Sequence, residues 1–159
     1  MAAKKKKVDT QLIFEEYKLF VATAEKNSDR RQIANSFFLT FHSLLLTGTG
    51  YLTTISEDSW LIILSFLGII SSYLWVMKIN SFRQLNSGKF KVIHELEEYL
   101  PYQLFKKEWD YLGQGEDRKK YKKLTVVETG VPYIFMLMYA FFILTRVIPY
   151  LCAFLSKLC

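Results

Sequence analysis

The amino-acid sequence predicts an all-α membrane protein with three transmembrane helices and a small helical cytoplasmic domain, assembled into a ring-forming oligomer. Apolar and charged residues are segregated into blocks tens of residues long, whereas a soluble domain of this size mixes them at the helical or strand period. Three apolar blocks are long enough to cross a bilayer, given a rise of about 1.5 Å per helical residue. Basic residues cluster in the polar segments beside these blocks.

Composition excludes several classes of protein. The chain of 159 residues is long enough for one ordinary domain, and its 51% hydrophobic content with only 7 Gly and 3 Pro excludes disorder. The net charge of +6 lies beside the apolar blocks, where contact with anionic lipid explains it without nucleic acid. Cys152 and Cys159 form neither a disulfide framework nor a metal motif, and no cofactor motif is present. Polar residues follow the Lys4–Lys7 run, so no cleavable signal peptide is predicted.

Residues 1–32 are predicted to be a cytoplasmic segment built on an amphipathic helix, Asp9–Lys26, with Asp9 or Thr10 as N-cap. This helix either packs on the rest of the cytoplasmic domain or lies in the membrane surface. We favour packing, because acidic as well as basic residues occupy its polar face. The residues of its apolar stripe are Ile13, Tyr17, Phe20 and Ala24.

The first two predicted spans, residues 33–55 and 60–77, are joined by a short polar turn at residues 56–59 and therefore form an antiparallel hairpin. Eight Lys and Arg residues lie in residues 1–32, eleven lie in residues 78–130, and none lies in the turn. Because cytoplasmic flanks carry an excess of Lys and Arg, both large polar segments are placed in the cytosol and the turn outside.

The third predicted span, residues 131–155, contains Arg146 and Pro149. It is either one kinked span in which Arg146 extends to the far interface, or a span ending near Thr145 followed by a short interfacial helix. We favour the single span. In both cases residues 156–159 form an external C-terminus.

The cytoplasmic segment of residues 78–130 is predicted to begin as a continuation of the second span as far as Tyr99, before Pro101. Lys89 occupies one slot of its apolar seam, whose other members are Phe82, Leu85, Val92, Leu96 and Tyr99. A second short amphipathic helix follows and ends at Gly113-Gln114-Gly115. Its apolar residues are Tyr102, Phe105, Trp109 and Leu112.

A stripe of small and hydroxylated residues follows one face of the first span, and a shorter set, Ser65, Gly68 and Ser72, follows the second. Such residues allow close helix packing, or they give a weakly polar lining to a pore in an oligomer. The residues of the stripe are Ser36, Thr40, Ser43, Thr47, Gly50 and Thr54.

Isolated ionisable residues are the other candidates for function. His42 lies near the middle of the first span and is either a structural residue or a functional group; Arg146 is an interfacial anchor or a gating charge. No catalytic motif is present. An enzyme acting on lipid would have to use His94 with one of its neighbours, and the neighbours on its helix are Glu95, Glu97 and Glu98.

The run Trp75–Glu97, WVMKINSFRQLNSGKFKVIHELE, resembles the RipA family of octameric bacterial membrane proteins, and Leu100, Pro101 and Trp109 match the following part. The resemblance covers about a third of the chain. It implies a homo-oligomer of eight copies in a bacterial inner membrane, and it transfers no catalytic residues.

These observations favour a non-enzymatic homo-oligomer that encloses a pore or acts as a membrane scaffold, with itself and membrane lipid as its partners. The alternatives are a membrane-disrupting effector of a phage-defence or toxin-like system, opened by a partner's signal, and the lipid enzyme. The segment 83–97 is predicted to be the assembly element. Residues assigned to assembly are Phe82, Arg83, Leu85, Asn86, Lys89, Phe90, Ile93 and Leu96.

Overall fold

The protein is all-helical in a computed structural model that describes residues 10–55, 58–117, 119–122 and 124–155. Within those ranges no strand is present. The elements in chain order are α1 (Thr10–Thr54), α2 (Asp58–Glu97), α3 (Leu104–Tyr111), a short 3₁₀ turn (Gly113–Gly115) and α4 (Leu124–Leu155).

The chain divides into two compact units. Unit 1 comprises Met1–Arg31 and Ser81–Leu124, and unit 2 comprises Gln32–Asn80 and Thr125–Cys159. Both α1 and α2 therefore contribute residues to each unit, whereas α3 belongs to unit 1 and nearly all of α4 to unit 2.

Helix α1 is one continuous helix of 45 residues, where the sequence predicted a separate amphipathic helix and span. Residues 27–32 contain neither Gly nor Pro, so no residue type in this stretch breaks a helix. Asn27 is buried and donates a hydrogen bond to the backbone oxygen of Phe82 (3.5 Å), which holds this stretch against α2. The predicted cap at Asp9 lies outside the described residues.

Helix α2 confirms that the second apolar block continues as a helix into the polar segment. It ends at Glu97, and the backbone N–H groups of Glu98, Tyr99 and Leu100 each donate to the carbonyl three residues earlier. This tightened last turn precedes Pro101, as the sequence predicts. Asp58 and Ser59, which were assigned to the predicted turn, already belong to α2, and residues 56 and 57 lie outside the described part.

Helix α4 begins at Leu124, earlier than the predicted start at residue 131, and continues without a break past Arg146 and Pro149 to Leu155. The stretch before Pro132 contains one Gly and no Pro, so it extends the helix. The structure thus has one helix where the sequence left open a break near Thr145.

Among the residues that the structure describes, two helices have the length and apolar composition to span a membrane, over Ser59–Glu97 and Leu124–Pro149. Their most apolar stretches are only 33% and 11% buried, whereas the core helix of a soluble protein is mostly buried. Residues 33–55 of α1 do not meet the same criterion, because their hydroxyl, amide and imidazole groups lower the hydropathy. Two of the three predicted spans are supported, and the first remains a prediction.

The short helix α3 lies where the sequence places it, and the glycine-rich stop is confirmed. Gly113, Gln114 and Gly115 have φ angles of 64°, 52° and 73°. Glycine adopts this left-handed region without steric cost, so two glycines suit a chain that must turn sharply here.

Candidate functional site

The core of unit 2 is built around His42, which is fully buried. Its Nδ1 lies 3.1 Å from the hydroxyl of Tyr139 on α4. Its Nε2 lies 3.5 Å from the hydroxyl of Ser71 and 3.4 Å from that of Ser72, both on α2. One imidazole thus has partners on both of the other long helices of unit 2, so His42 orients three helices at once.

Hydrogen bonding at His42 is satisfied with either neutral tautomer. Tyr139 donates to Nδ1 while Nε2–H donates to Ser71, whose hydroxyl donates to the Gly68 carbonyl (3.1 Å). Alternatively Nδ1–H donates to Tyr139, whose hydroxyl donates to the His42 carbonyl (3.4 Å), and Ser72 donates to Nε2. Because a buried polar group is costly only when unpaired, the geometry supports the structural interpretation of His42.

Aromatic rings enclose this histidine. The His42 ring stacks on Phe135 at a centroid distance of 4.8 Å and on Trp75 at 5.7 Å. Trp75 in turn stacks on Phe38 at 5.5 Å, and its indole N–H donates to the side-chain oxygen of Asn35 (2.9 Å). The imidazole therefore lies within a cluster of packed aromatic rings.

The small residues of α2 pack tightly inside unit 2. Ser65 and Ser72 are fully buried, and a Cβ atom added at Gly68 would lie 2.5–2.6 Å from ring atoms of Tyr139. Only glycine therefore allows the Tyr139 ring to reach its position. For Ser65, Gly68 and Ser72, the structure therefore supports close helix packing.

The stripe of α1 faces the other way. All six of its residues are exposed, and open space surrounds Gly50. The hydroxyls of Ser43 and Thr47 donate to backbone oxygens of their own helix at 2.8 and 2.9 Å. Within one chain the stripe is therefore not covered by α2, and the choice between packing against another copy and a pore lining stays open. The residues of the α1 face that packs inside unit 2 include Asn35, His42 and Thr49.

Two further predicted residues lie on α4. Arg146 is half-buried, and Cys152 is an exposed free thiol. Cys159 lies outside the described residues. The choice between an anchoring and a gating role for Arg146 stays open.

In unit 1, the first part of α1 packs antiparallel against the last part of α2. Lys89 donates to the hydroxyl of Thr23 (2.9 Å) and its ammonium lies 5.5 Å from the centre of the Phe20 ring. Tyr17 reaches Glu97, and Ile13 and Ala24 are buried. Of the two arrangements predicted for the amphipathic helix, the structure thus shows the one in which it packs on other helices of its domain.

These contacts correct the predicted assembly surface. Ile93 is fully buried and so is not available to another copy, while Lys89 and the backbone of Phe82 are half-buried and contact α1 of the same chain. Arg83 and Leu85 are exposed, and the remaining assigned residues are half-buried: Asn86, Phe90 and Leu96.

Glu97 is the central polar residue of unit 1, and its carboxylate is fully buried. Its Oε1 accepts hydrogen bonds from the backbone N–H of Phe105 (2.8 Å) and the hydroxyl of Tyr17 (3.2 Å), and its Oε2 accepts one from the N–H of Lys106 (3.0 Å). Gln103, the residue at the N-cap of α3, forms no side-chain cap. Glu97 caps the helix in its place, where the positive end of the helix dipole favours a carboxylate.

The pKa of Tyr17 is raised from 10.0 to about 12, because its hydroxyl is partly removed from water and lies beside the Glu97 carboxylate to which it donates. An unfolded tyrosine ionises near its ordinary pKa, so this bond stabilises the fold fully below pH 10 and is lost progressively between pH 10 and about 12. We expect Tyr17→Phe to reduce the loss of stability across this range, measured by urea unfolding at several pH values. Tyr102→Phe, at an exposed tyrosine of unit 1, is the control and should leave the alkaline loss unchanged.

The predicted lipid-enzyme residues do not form a distinct site. The ring of His94 meets that of Phe90 edge-on at 6.4 Å, and the Glu97 carboxylate is occupied by α3 and Tyr17. Glu95 and Glu98 are exposed. Among the described residues, no group of three or more His, Cys, Asp or Glu side chains could hold a metal ion.

Two long apolar helices with largely exposed surfaces, joined to a helical unit rich in polar residues, define a helical membrane protein. The chain belongs to the octameric membrane protein family (8xMP), whose sequence profile matches residues 14–148. No curated protein and no solved structure matches it. The family match supports the predicted octameric membrane class, while the narrower resemblance to RipA stays a prediction.

Proposed function

We propose that the protein is a non-enzymatic subunit of a bacterial inner-membrane homo-octamer that encloses a central opening lined by the stripe of α1. The observation that carries the proposal is the exposure of all six stripe residues on a chain whose family is octameric. In this proposal residues 33–55 of α1 are the third membrane span.

Lipid is a poor neighbour for this stripe. Exposed Ser and Thr side chains in a membrane helix are generally covered by another helix or face water. Helices α2 and α4 of the same chain do not cover the stripe, because α1 packs against them through a different face, the one that carries His42. In a closed ring, the surface that remains faces a neighbouring copy or the axis. Because the stripe carries no charge, a lining of this kind would not select strongly between ions.

The orientation follows from charge. The segments 1–32 and 78–130 hold eight and eleven Lys and Arg residues, and both belong in the cytosol if the bias toward cytoplasmic flanks applies. Unit 1 is then the cytoplasmic part, and unit 2 holds the spans. The C-terminus is external in this arrangement.

The test is thiol labelling from water in membranes. In a background of Cys152→Ser and Cys159→Ser, Thr47→Cys should react with a small charged methanethiosulfonate at least about tenfold faster than Leu44→Cys, since bilayer-facing thiols are shielded from water. Leu44 is the matched control, because it is also exposed and lies at a similar depth, but about 80° round α1 from Ser36. Equally slow labelling at both positions would exclude a lined opening.

Copy number is measured separately, by native mass spectrometry of the purified protein. A mass of eight subunits is expected from the family assignment. A monodisperse monomer would contradict the assembly itself, whatever the labelling shows.

A further inference from the structure

A strongly basic segment lies between α3 and α4. Five of the six residues 118–123 are Lys or Arg. Three of these lysines belong to the part of the chain that the structure describes, and the side chains of all three are exposed. They are here called the loop lysines: Lys119, Lys120 and Lys122.

The acidic residues that precede the loop lysines do not cancel their charge. Five positive and two negative charges leave residues 116–123 with a net charge of +3. Of the two carboxylates, that of Glu116 is exposed, whereas Asp117 is half-buried. The Asp117 Oδ1 accepts a hydrogen bond from the backbone N–H of Lys119 (2.9 Å), so this carboxylate is engaged with the loop's own backbone.

Hydrogen bonds and an aromatic contact fix the shape of this loop. The carbonyl of Asp117 accepts bonds from the N–H groups of Lys120 (3.1 Å) and Tyr121 (3.0 Å), which closes a single turn. The half-buried Tyr121 ring meets the ring of Trp109 on α3 edge-on at 6.1 Å. Because the N–H groups of residues 119–121 are occupied, an anion at this loop would be bound by the lysine ammonium groups.

The acidic residues of α3 do not share its contact with the loop. Glu108 and Asp110 each lie about 100° round the helix from Trp109, on opposite sides of it. The Asp110 carboxylate also accepts a hydrogen bond from the side-chain amide of Gln114 (3.0 Å). The loop is therefore a surface on which positive charge predominates.

The loop lysines lie next to the apolar part of α4. Lys122 is two residues before Leu124, the first residue of α4, so their Cα atoms are at most about 7 Å apart. Residues 129–145 of α4 carry no charge and extend for about 26 Å, close to the hydrocarbon core of a bilayer. Leu124 lies about 8 Å before this stretch along the helix, a distance similar to the thickness of one headgroup layer.

We propose that the loop lysines bind the phosphate groups of anionic glycerophospholipids in the cytoplasmic leaflet. The inference rests on the membrane location and orientation of α4 in the proposed function. A cluster of about four to eight Lys and Arg residues directly beside the cytoplasmic end of a membrane helix attracts anionic lipid. Each such charge strengthens binding about fivefold. Because the turn is already formed, less conformational entropy is lost when the lipid binds.

The amount of lipid retained in native mass spectrometry tests this site. Purified protein in detergent is mixed with phosphatidylglycerol or with phosphatidylcholine of the same acyl chains. We expect the wild-type protein to prefer phosphatidylglycerol at least about tenfold, because the choline headgroup carries its own positive charge. The triple variant Lys119→Gln, Lys120→Gln and Lys122→Gln should reduce this preference at least about fivefold. Replacement of the same three lysines by arginine should preserve it, because the positive charge is kept.

The matched control removes three other exposed lysines of unit 1, and it should leave the lipid preference unchanged. It makes the same change of net charge on α2 and α3, where Lys91 lies about 21 Å along α2 from Met77, the end of the second predicted span. The substitutions of the control are Lys91→Gln, Lys106→Gln and Lys107→Gln.

Three results would overturn the proposal. They are equal retention of both lipids by the wild-type protein, an equal loss of preference in the control, and release of the lipid by inorganic phosphate but not by chloride at the same ionic strength. The last result would show a site for soluble anions. An octamer in which Thr47→Cys reacts rapidly but no lipid is preferred would contradict this proposal alone. A monomer that prefers phosphatidylglycerol would contradict the octameric assembly alone.

Discussion

Replacing Glu97 with alanine is expected to release α3 from the rest of unit 1. The buried carboxylate accepts three hydrogen bonds, from the N–H groups of Phe105 and Lys106 and from the Tyr17 hydroxyl. Hydrogen bonds to a charged group contribute about 1.5–3 kcal/mol each, and the loss of one partner leaves the others unpaired. Because some of the freed donors would regain water, we expect a loss of about 2–4 kcal/mol in the free energy that holds α3 in place.

Limited proteolysis measures this release directly. Lys106 and Lys107 lie on α3, so trypsin cleaves there only when the helix opens. A loss of about 3 kcal/mol corresponds to an increase of about 100-fold in the cleavage rate, if opening and closing are fast relative to cleavage. Glu98→Ala is the matched control, since Glu98 is the exposed neighbour and should change the rate little. Similar rates for the two variants would show that the Glu97 cap does not hold α3.

Glu97→Gln removes the charge of the side chain and keeps its size. The amide keeps one acceptor oxygen but presents an NH₂ group where a second N–H must donate, so one of the two backbone bonds to α3 is lost. We expect its cleavage rate to fall between those of the wild-type protein and Glu97→Ala. The alanine variant then serves as the upper limit in the same experiment.

The positions of the helices could largely be predicted from the sequence, because they depend on local signals. Pro101 and the glycines after residue 112 mark the ends of α2 and α3, and both ends are where the sequence places them. The continuity of α1 was harder to predict. Asn27, Ser28 and Asp29 are poorer helix formers than the residues that follow them, and the burial of Asn27 against α2 is a tertiary contact.

The side of each helix that forms the core was predicted less well. Lys89 and the backbone of Phe82 belong to the seam predicted for α2 and do contact α1. The fully buried Ile93 and Glu97 were not assigned to that seam. The spacing of apolar residues does not reveal a core row that includes polar residues. Such residues can be buried because their hydrogen-bond partners lie far along the chain. Two apolar members of the predicted seam, Leu85 and Tyr99, are exposed instead.

Both units depend on one buried polar residue that contacts three segments of the chain. His42 has this position in unit 2 and Glu97 in unit 1. The sequence indicated His42 as unusual, but its partner Tyr139 lies 97 residues away and carries no local signal. A misregistered helix would leave such a group unpaired, so we expect both residues to favour one register of the helices.

Gly68→Ala is expected to destabilise unit 2, although alanine is a better helix former than glycine. The new Cβ atom would lie 2.5–2.6 Å from three ring atoms of Tyr139, a fully buried residue whose hydroxyl bonds to His42. A rigid ring held at its far end cannot move aside without loss of that hydrogen bond. Overpacking of this kind costs about 1–3 kcal/mol, which exceeds the gain of about 0.5–1 kcal/mol from helix propensity.

The sign of the effect is tested against another glycine of the same helix. Gly88 is exposed on α2 and has open space where a Cβ would lie, so Gly88→Ala should raise the midpoint of thermal unfolding while Gly68→Ala lowers it. Circular dichroism of the purified protein in detergent gives both midpoints. A stabilised Gly68→Ala variant would mean that Tyr139 does not pack against this turn of α2. If Gly68→Ala is destabilised, adding Tyr139→Leu should reduce the further cost of the alanine, because the rigid ring is then gone.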